Sequence, residues 1–172
     1  MYPNKITELL RDSMMAISTI KDAVEGHIYS QYIDQSSKFP CITHHIFGGS
    51  LNIVKGACSP VIQCRIWTDK NKDFTSFLYT TYGLIYASFF SSYKRSLICS
   101  YCNKIFYFAI DTDYTSTPCP KCKQTGFLSD YLNLKIEMNK NYIPVIMQEN
   151  YESLIIYSLP FFLNCEATYK ET

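Results

Sequence analysis

The 172-residue chain lacks an excess of charge of either sign. It carries 16 Lys and Arg against 15 Asp and Glu, so its formal net charge is +1. A general nucleic-acid binder neutralises many phosphates with basic side chains, and its affinity depends mainly on that term. The local exceptions are short: Lys94 with Arg95, and Lys121 with Lys123. The composition therefore argues against a general nucleic-acid binder.

The sequence also lacks a hydrophobic run as long as a membrane helix requires, which is roughly 20 residues. The nearest approach, LYTTYGLIYASFF, is shorter and rich in hydroxyl groups. The N-terminal MYPNKITELLRD is polar and charged rather than basic and then apolar, so we expect no signal peptide. We expect a protein of a reducing cytoplasm with no membrane partner.

Catalytic signatures are missing as well. There is no nucleophile–base pair, no phosphate loop and no acidic metal cluster at a recognisable spacing. His27 stands alone, and His44 and His45 are neighbours that would point to opposite faces of a strand. We therefore predict that the chain is not an enzyme.

Four of the eight cysteines form no close pairs in the sequence, and buried free thiols are expected at each of them: Cys41, Cys58, Cys64 and Cys165.

What the sequence does contain is a four-cysteine pattern. Cys99 and Cys102 form one Cys-x-x-Cys pair, Cys119 and Cys122 form a second, and sixteen residues lie between the pairs. This spacing is typical of a zinc ribbon, in which four thiolates hold one Zn²⁺ in a tetrahedron. Two disulfides or a redox pair are the alternatives. Four protein ligands leave no position for a bound water, so the predicted Zn²⁺ is structural rather than catalytic.

The module predicted around these cysteines covers residues 96–126. The run 104–110 between the pairs is aromatic and branched and predicts a strand, and residues 111–113 predict a turn. Two interpretations of the module stay open. It is either a docking surface for nucleic acid or protein, or a metal staple that replaces a hydrophobic core too small to form.

Hydrophobic periodicity outside the module predicts one α+β domain over residues 1–95 and 127–172. Apolar spacings of three and four predict helices over 4–25 and over about 74–93. Four strands are predicted from alternating or apolar runs: 40–47, 61–68, 131–138 and 153–165. Two helices packed on one face of a four-stranded, mainly antiparallel sheet would bury the apolar sides, with the zinc-ribbon hairpin as an insertion.

Two details of the predicted sheet concern its strands. The strands 40–47 and 61–68 are expected to pair antiparallel, with Gly48 to Ser50 ending the first of them. The excursion 48–60 is then a flexible arm of the kind that often carries contacts, or a disordered tip. Pro160 interrupts the last strand, which predicts a bulge or an edge position there.

The order of these elements resembles that of the tail-terminator (tail-completion) proteins of long-tailed bacteriophages. In that family a helix leads through an Ile-Tyr segment and a proline to a strand, a glycine-containing loop and a strand that ends in an aromatic residue. A polar turn, a helix and a late closing strand follow. The corresponding features here are Ile28-Tyr29, Pro40, Gly48-Gly49, Trp67, the helix from Phe74 and the strand around 154–165. The resemblance covers about residues 5–93 and part of 150–166, and the four-cysteine insertion departs from it.

This resemblance implies a structural role in a virion. Such proteins assemble as a ring, usually six-fold, on the last ring of a tail tube, where they stop tube growth and join the tail to the head. The implied partners are further copies of the chain, the tail tube protein and the head–tail connector or stopper protein. Genome DNA would pass through the lumen without specific binding. The implied location is the neck of the virion, after assembly in the host cytoplasm.

The alternative is a zinc-ribbon factor that binds nucleic acid or takes part in transcription. Such a ribbon should carry several Lys or Arg on its exposed strand face. The hairpin offers Lys104, Lys121 and Lys123. These are partly offset by Asp111 and Asp113, so the sequence favours contacts with protein.

Overall fold

The computed structural model describes residues 3–30, 32–34, 36–52, 57–69, 73–89, 92–109, 113–151 and 154–168. Three helices and eight strands lie in these ranges. The helices are α1 Pro3–Met15, α2 Ser18–Ala23 and α3 Phe74–Phe89. The strands are β1 Ile28–Tyr29, β2 Cys41–Asn52, β3 Ala57–Thr68, β4 Ser92–Cys99, β5 Lys104–Ala109, β6 Leu128–Met138, β7 Met147–Tyr151 and β8 Leu154–Thr168.

The strands form one sheet in the order β1-β2-β3-β8-β6-β4-β5, and β7 pairs with β8 beside this path. Every neighbouring pair is antiparallel except β1 with β2. The predicted α+β class and the antiparallel pairing of β2 with β3 are confirmed. The predicted number of four strands is wrong, because the sheet has eight. The additional strands are β1, β4, β5 and β7, of which β5 lies in the predicted hairpin.

Alternation along the central strands places one set of side chains against the helices. Ile62, Cys64 and Ile66 of β3 lie on this covered face and are fully buried, as the sequence predicts. One buried cluster joins the covered face to all three helices, and its sheet residues include Ile42, Ile136, Leu159, Phe161 and Leu163. Burying one such side chain stabilises a fold by about 1.5–3 kcal/mol, so this cluster is the main core of the protein.

The opposite face of the sheet is only half covered. Near Trp67, Tyr29 of β1 and Ile33 and Phe39 of the segment that follows it pack over the strands and form a second, smaller cluster. Farther along the same face Phe47 is 65 % exposed. We refer to this side as the open face.

The first helix breaks where periodicity predicts continuity. The sequence predicts one helix over 4–25, whereas α1 ends at Met15 and α2 begins at Ser18. Ile17 between them has an extended backbone, with φ −93° and ψ 103°. Both Ile17 and Ile20 still pack on the core, so the apolar spacing continues across the break. A pattern of apolar positions therefore does not reveal the break.

The second predicted helix is too long at its C-terminal end. The sequence predicts it over about 74–93, but α3 ends at Phe89 and β4 begins at Ser92. β4 pairs with β5 on one side and with β6 on the other. Residues from Ser92 onward therefore form a strand rather than continue the helix. Hydrogen bonding to a partner strand on both sides outweighs the weak helix preference of a few residues.

The predicted arm over 48–60 is instead the distal part of a β-hairpin. Pairing between β2 and β3 continues from Gly48↔Val61 to Asn52↔Ala57, after a register shift between Ile46 and Gly48. Gly49 has φ +125°, and a Cβ there would lie 2.3 Å from the carbonyl oxygen of Ser59. The glycines therefore permit an irregular, close strand pairing rather than ending the strand. The tip, 53–56, lies outside the described residues.

Pro160 corrects another expectation. β8 is a central strand, and Pro160 lies opposite Arg65 in a continuous register with β3. On its other side, pairing with β7 ends at Ser158 and pairing with β6 begins at Leu163. Pro160 has no N–H to donate, and it occupies the gap between two successive partner strands, so neither a bulge nor an edge strand is needed.

Candidate metal centre

The four cysteines of the sequence pattern come together at one end of the sheet. Cys99 is the last residue of β4 and lies opposite Lys104 of β5 and Leu128 of β6. Cys119 and Cys122 lie in the turn that precedes β6. The strands that carry the predicted ribbon thus pair within the main sheet, and we call the region from Cys99 to Phe127 the clasp.

The two Cys-x-x-Cys turns have the same backbone design. In the first, the N–H of Asn103 donates to the carbonyl of Cys99 over 2.8 Å, and in the second the N–H of Lys123 donates to Cys119 over 2.9 Å. Asn103 and Lys123 each have a positive φ, 52° and 62°. A left-handed residue directly after the second cysteine reverses the chain, so both sulfurs of a turn point the same way.

The sulfur positions fit a tetrahedral metal ion. All four Sγ atoms lie within 4.8 Å of one another. The Cys99–Cys122 and Cys102–Cys119 sulfur distances are both 3.7 Å. A tetrahedron with metal–sulfur bonds of about 2.3 Å has sulfur–sulfur edges of about 3.8 Å, whereas a disulfide bond is about 2.05 Å long. The four cysteines are therefore positioned to hold a metal ion, and they are free of disulfides.

The protonation of these thiols also favours a cation. Burial raises the pKa of Cys119, but hydrogen bonds from the backbone N–H groups of Cys122 and Lys121 outweigh it and lower that pKa to about 6. The backbone N–H of Gln124 lowers the pKa of Cys122, but partial burial and the neighbouring thiols raise it to about 11. The Cys119 thiolate therefore forms readily, whereas Cys122 resists deprotonation. A divalent cation removes this conflict, because it stabilises all four thiolates at once.

The clasp has only a small hydrophobic core of its own. Leu97 and Leu128 are buried beside the cysteines, and Phe106 and Tyr114 pack against them. This cluster is separate from the main core of the sheet and helices. A metal ion would therefore supply stability that these few apolar contacts do not.

The outer surface of the clasp carries an aromatic pair that the sequence patterns did not single out. Tyr101 is 65 % exposed and Phe127 is 42 % exposed, and their rings meet edge to face with centroids 5.7 Å apart. The backbone N–H of Ser100 donates to the carbonyl of Phe127 over 2.9 Å and holds the two segments together. Large exposed rings on a rigid turn are typical of protein contact surfaces.

The charged residues of the clasp that the structure describes are exposed. Lys104, Lys121 and Lys123 all lie at its surface. Asp113 accepts hydrogen bonds from the side chains of Thr115 and Ser116, and these bonds lower its pKa. The predicted turn residue Asp111 lies outside the described residues.

The histidines are not brought together. His44 is fully buried on the covered face, and neither ring nitrogen has a hydrogen-bond partner. Burial lowers its pKa to about 4, and the charge of Arg11 adds to the effect. His45 lies on the open face, where its ring contacts Tyr32 at 4.3 Å. His27 is elsewhere, with Nδ1 3.3 Å from the carbonyl oxygen of Pro40.

The isolated cysteines are mostly where the sequence predicts them. Cys41 and Cys64 are buried free thiols, and burial raises the pKa of Cys41 to about 12. Cys165 is buried, and it adds to the raised pKa of Cys64. The side chain of Cys58 lies outside the described part of the chain.

A polar network on the open face has no counterpart in the sequence patterns. Arg65 donates to Glu149 over 2.9 Å, and its guanidinium lies 5.6 Å from the ring centre of Trp67. Glu149 also accepts from Ser158, and the indole N–H of Trp67 donates to Thr43 over 2.8 Å. The network links β7 to β3 across β8, so no short-range motif could reveal it.

Neither a comparison with protein-family models nor a search of curated proteins finds a match to this chain. In the part of the chain that the structure describes, no helix has the length and apolar character to cross a membrane.

Proposed function

We propose that this chain is a structural, non-catalytic subunit of a phage virion, acting as a tail terminator at the head-proximal end of the tail tube. The position of the late strand carries this proposal. β8 pairs with β3 from Thr68↔Tyr157 to Ala57↔Thr168 and so closes the sheet beside the β2–β3 hairpin. That is the order of elements expected from the resemblance.

Smaller features support the same order. Ile28-Tyr29 is the short strand β1, and Pro40 directly precedes β2. Trp67 lies in the penultimate position of β3, and α3 begins at Phe74 after the turn. A common order of elements does not by itself specify a function, so the proposal also needs a surface that could bind the implied partners.

The open face offers such a surface. Phe162 contacts Phe47 with ring centres 5.2 Å apart and Tyr142 with ring centres 4.7 Å apart. This aromatic patch lies on the uncovered half of the face. Aromatic side chains are enriched in protein interfaces, so the patch suits a flat protein partner such as the tube or the connector.

In this proposal the metal is a structural Zn²⁺ held by Cys99, Cys102, Cys119 and Cys122. Four thiolates in a tetrahedron suit Zn²⁺ better than oxygen-seeking cations, and they leave no open position for catalysis. Bound there, the ion would join the ends of β4, β5 and β6. The clasp would then stabilise this end of the sheet and also present Tyr101 and Phe127 to a partner.

Electron microscopy of tail tubes tests the proposed role. Purified full-length protein, with its zinc content quantified, is mixed with tail tubes of the phage that encodes it and viewed in negative stain. We expect one end of each tube to acquire a cap, and about one zinc per chain. Tubes that remain uncapped at saturating protein would contradict the role as a terminator.

A zinc-ribbon nucleic-acid-binding factor is the second candidate, and the exposed aromatic pair and the three exposed lysines of the clasp are the observations in its favour. However, four thiolates around one divalent cation leave two net negative charges. Those charges cancel much of what Lys104, Lys121 and Lys123 contribute. Retention on single- and double-stranded DNA at low and moderate salt decides between the candidates, since salt-sensitive binding at micromolar protein would favour the second.

A further inference from the structure

The two ends of the sheet present strand edges without a strand partner among the described residues. At one end, β1 pairs only with Ile42 and Thr43 of β2. The outer edge of β2 from His44 to Asn52, nine residues long, therefore has no neighbour in the described sheet. At the other end, β5 pairs only with β4, so its six-residue outer edge is also unpaired there.

These edges carry few of the features that normally prevent strand pairing between molecules. Exposed edges usually carry lysines, other charges or prolines. The sequence from His44 to Asn52, HHIFGGSLN, contains no Lys, Arg, Asp, Glu or Pro. The sequence of β5, KIFYFA, has one charge, at its first residue Lys104. Apart from the bulge between Ile46 and Gly48 in β2 and Lys104 at the start of β5, neither edge carries a feature that opposes a further strand.

The directions of the two edges are complementary. From β2 across β3, β8, β6 and β4 to β5 every pairing is antiparallel, which is five reversals of direction. β2 and β5 of one chain therefore run in opposite directions. A second copy, related by rotation about an axis roughly along the strands, would place its β2 antiparallel to β5 of the first copy. Antiparallel pairing is the more stable arrangement.

We infer that a second copy of this chain occupies these edges, with β5 of one subunit pairing antiparallel with the His44–Asn52 edge of β2 in the next. Repeated from subunit to subunit, this one type of contact gives a strand partner to both the β2 edge and the β5 edge. A two-fold contact of β2 with β2 would leave β5 exposed. The contact is head to tail, so it closes into a ring if the rotation per subunit permits. This inference deepens the proposed function, on which ring closure rests.

Cross-linking on the full-length, zinc-loaded protein tests the contact directly. A photoreactive amino acid is placed at Ser50, which is exposed on β2. After irradiation, mass spectrometry locates the residue that it has captured. We expect intermolecular products that join position 50 to residues 104–109. Products that join two β2 segments, or a protein that remains monomeric and forms no intermolecular product, would overturn the inference.

Edge-blocking variants provide the second measurement. Gly48 and Ser50 are both exposed, and a Cβ at Gly48 meets no atom within 4 Å, so Gly48→Lys with Ser50→Lys should fold normally. We expect self-association in sedimentation to weaken by at least about tenfold, because the lysines block the edge. Ser76→Lys with Thr80→Lys adds the same charge at exposed positions of α3 and should leave association unchanged. Equal association of both variants and the unaltered protein would overturn the inference.

The outcomes separate this inference from the proposed function. Cross-links between β2 and β5 in a protein that leaves tail tubes uncapped would remove the terminator role and retain the edge contact. Capped tubes without these cross-links would retain the role and remove the contact.

Discussion

Arg65 and Glu149 form an ion pair with 2.9 Å between Nη1 and Oε1, although 84 positions separate them in the chain. The pair lies on the open face and links β7 to β3 across β8, and Glu149 also accepts a hydrogen bond from Ser158 there. β7 has a strand partner only in β8 among the described strands. Besides the backbone pairing with β8, the ion pair is therefore a side-chain link from this short strand to β3.

Glu149→Gln should weaken that attachment. It removes the negative charge opposite Arg65, whose Nε is already buried without a hydrogen-bond partner. Because both side chains are partly exposed to solvent, we expect a loss of about 1 kcal/mol in the free energy of unfolding, measured with urea. Glu137→Gln is the matched control. Its partner Lys135 lies on the same strand at 3.0 Å, so a loss as large as that of Glu149→Gln would contradict the role of the cross-strand pair.

Cys102→Ser should destroy the metal centre. Three thiolates remain, and we expect the affinity for Zn²⁺ to fall by at least about 100-fold, because even the loss of an outer-shell partner costs 10–100-fold. Zinc content and competition with a chromophoric chelator measure this change. Ser100→Ala is the control, since that exposed hydroxyl makes one long hydrogen bond of 3.3 Å. Full zinc content in Cys102→Ser would rule out the four-cysteine centre.

His44 should make the protein less stable in mild acid. Burial lowers its pKa in the folded protein to about 4, whereas an unfolded chain has the ordinary value of about 6.5. Between these two values the unfolded chain binds a proton that the folded chain does not, so stability falls as pH falls through this window. The loss at pH 4 from this group is up to about 3 kcal/mol.

The variant His44→Leu tests this dependence by comparison with the unaltered protein. It should lose that part of the pH dependence, and at pH 7 it should be no less stable, because neither ring nitrogen makes a hydrogen bond that would be lost. His27→Gln is the control and should retain the acid sensitivity. If unfolding of His44→Leu followed the unaltered pH profile, the buried neutral histidine would not be its cause.

The two neighbouring glycines of β2 should respond differently to substitution. Gly49→Ala places a Cβ 2.3 Å from the backbone oxygen of Ser59, at a φ of +125°. We expect a loss of about 2 kcal/mol or more, measured by thermal or urea unfolding. Gly48→Ala meets no atom within 4 Å and should change stability by less than about 0.5 kcal/mol. Equal effects of the two substitutions would refute the close pairing at the bulge.

The four-cysteine cluster could be predicted from the sequence because its geometry is mostly local. Each Cys-x-x-Cys turn is closed by a backbone hydrogen bond between residues only four positions apart, such as Asn103 to Cys99. The strand β3 could be predicted as well, since alternation of Ile62, Cys64 and Ile66 directly reflects one buried face. The sequence also indicated the β2–β3 pairing, because two alternating runs follow each other along the chain.

Other features carry no such local signal. β1 is only two residues long, and it is a strand because it pairs with Ile42 and Thr43 of β2. β4 follows directly on a helix and becomes a strand through β5 and β6 on its two sides. The sequence predicts that Gly48 and Gly49 end a strand, whereas in the structure they lie at a bulge within it.

The sequence by itself determined the four-cysteine turns, the covered face of the central strands and the near-neutral charge. The turns and the covered face depend on residues a few positions apart in the chain, so the spacing of residue types is enough to predict them. The net charge follows from the composition. Only the tertiary structure decided that the clasp continues the main sheet, that Pro160 lies between two partner strands, and that Arg65 meets Glu149. Each of these depends on backbone pairing between segments that are distant in the chain, and such pairing is selected by the whole sheet rather than by any short stretch of residues.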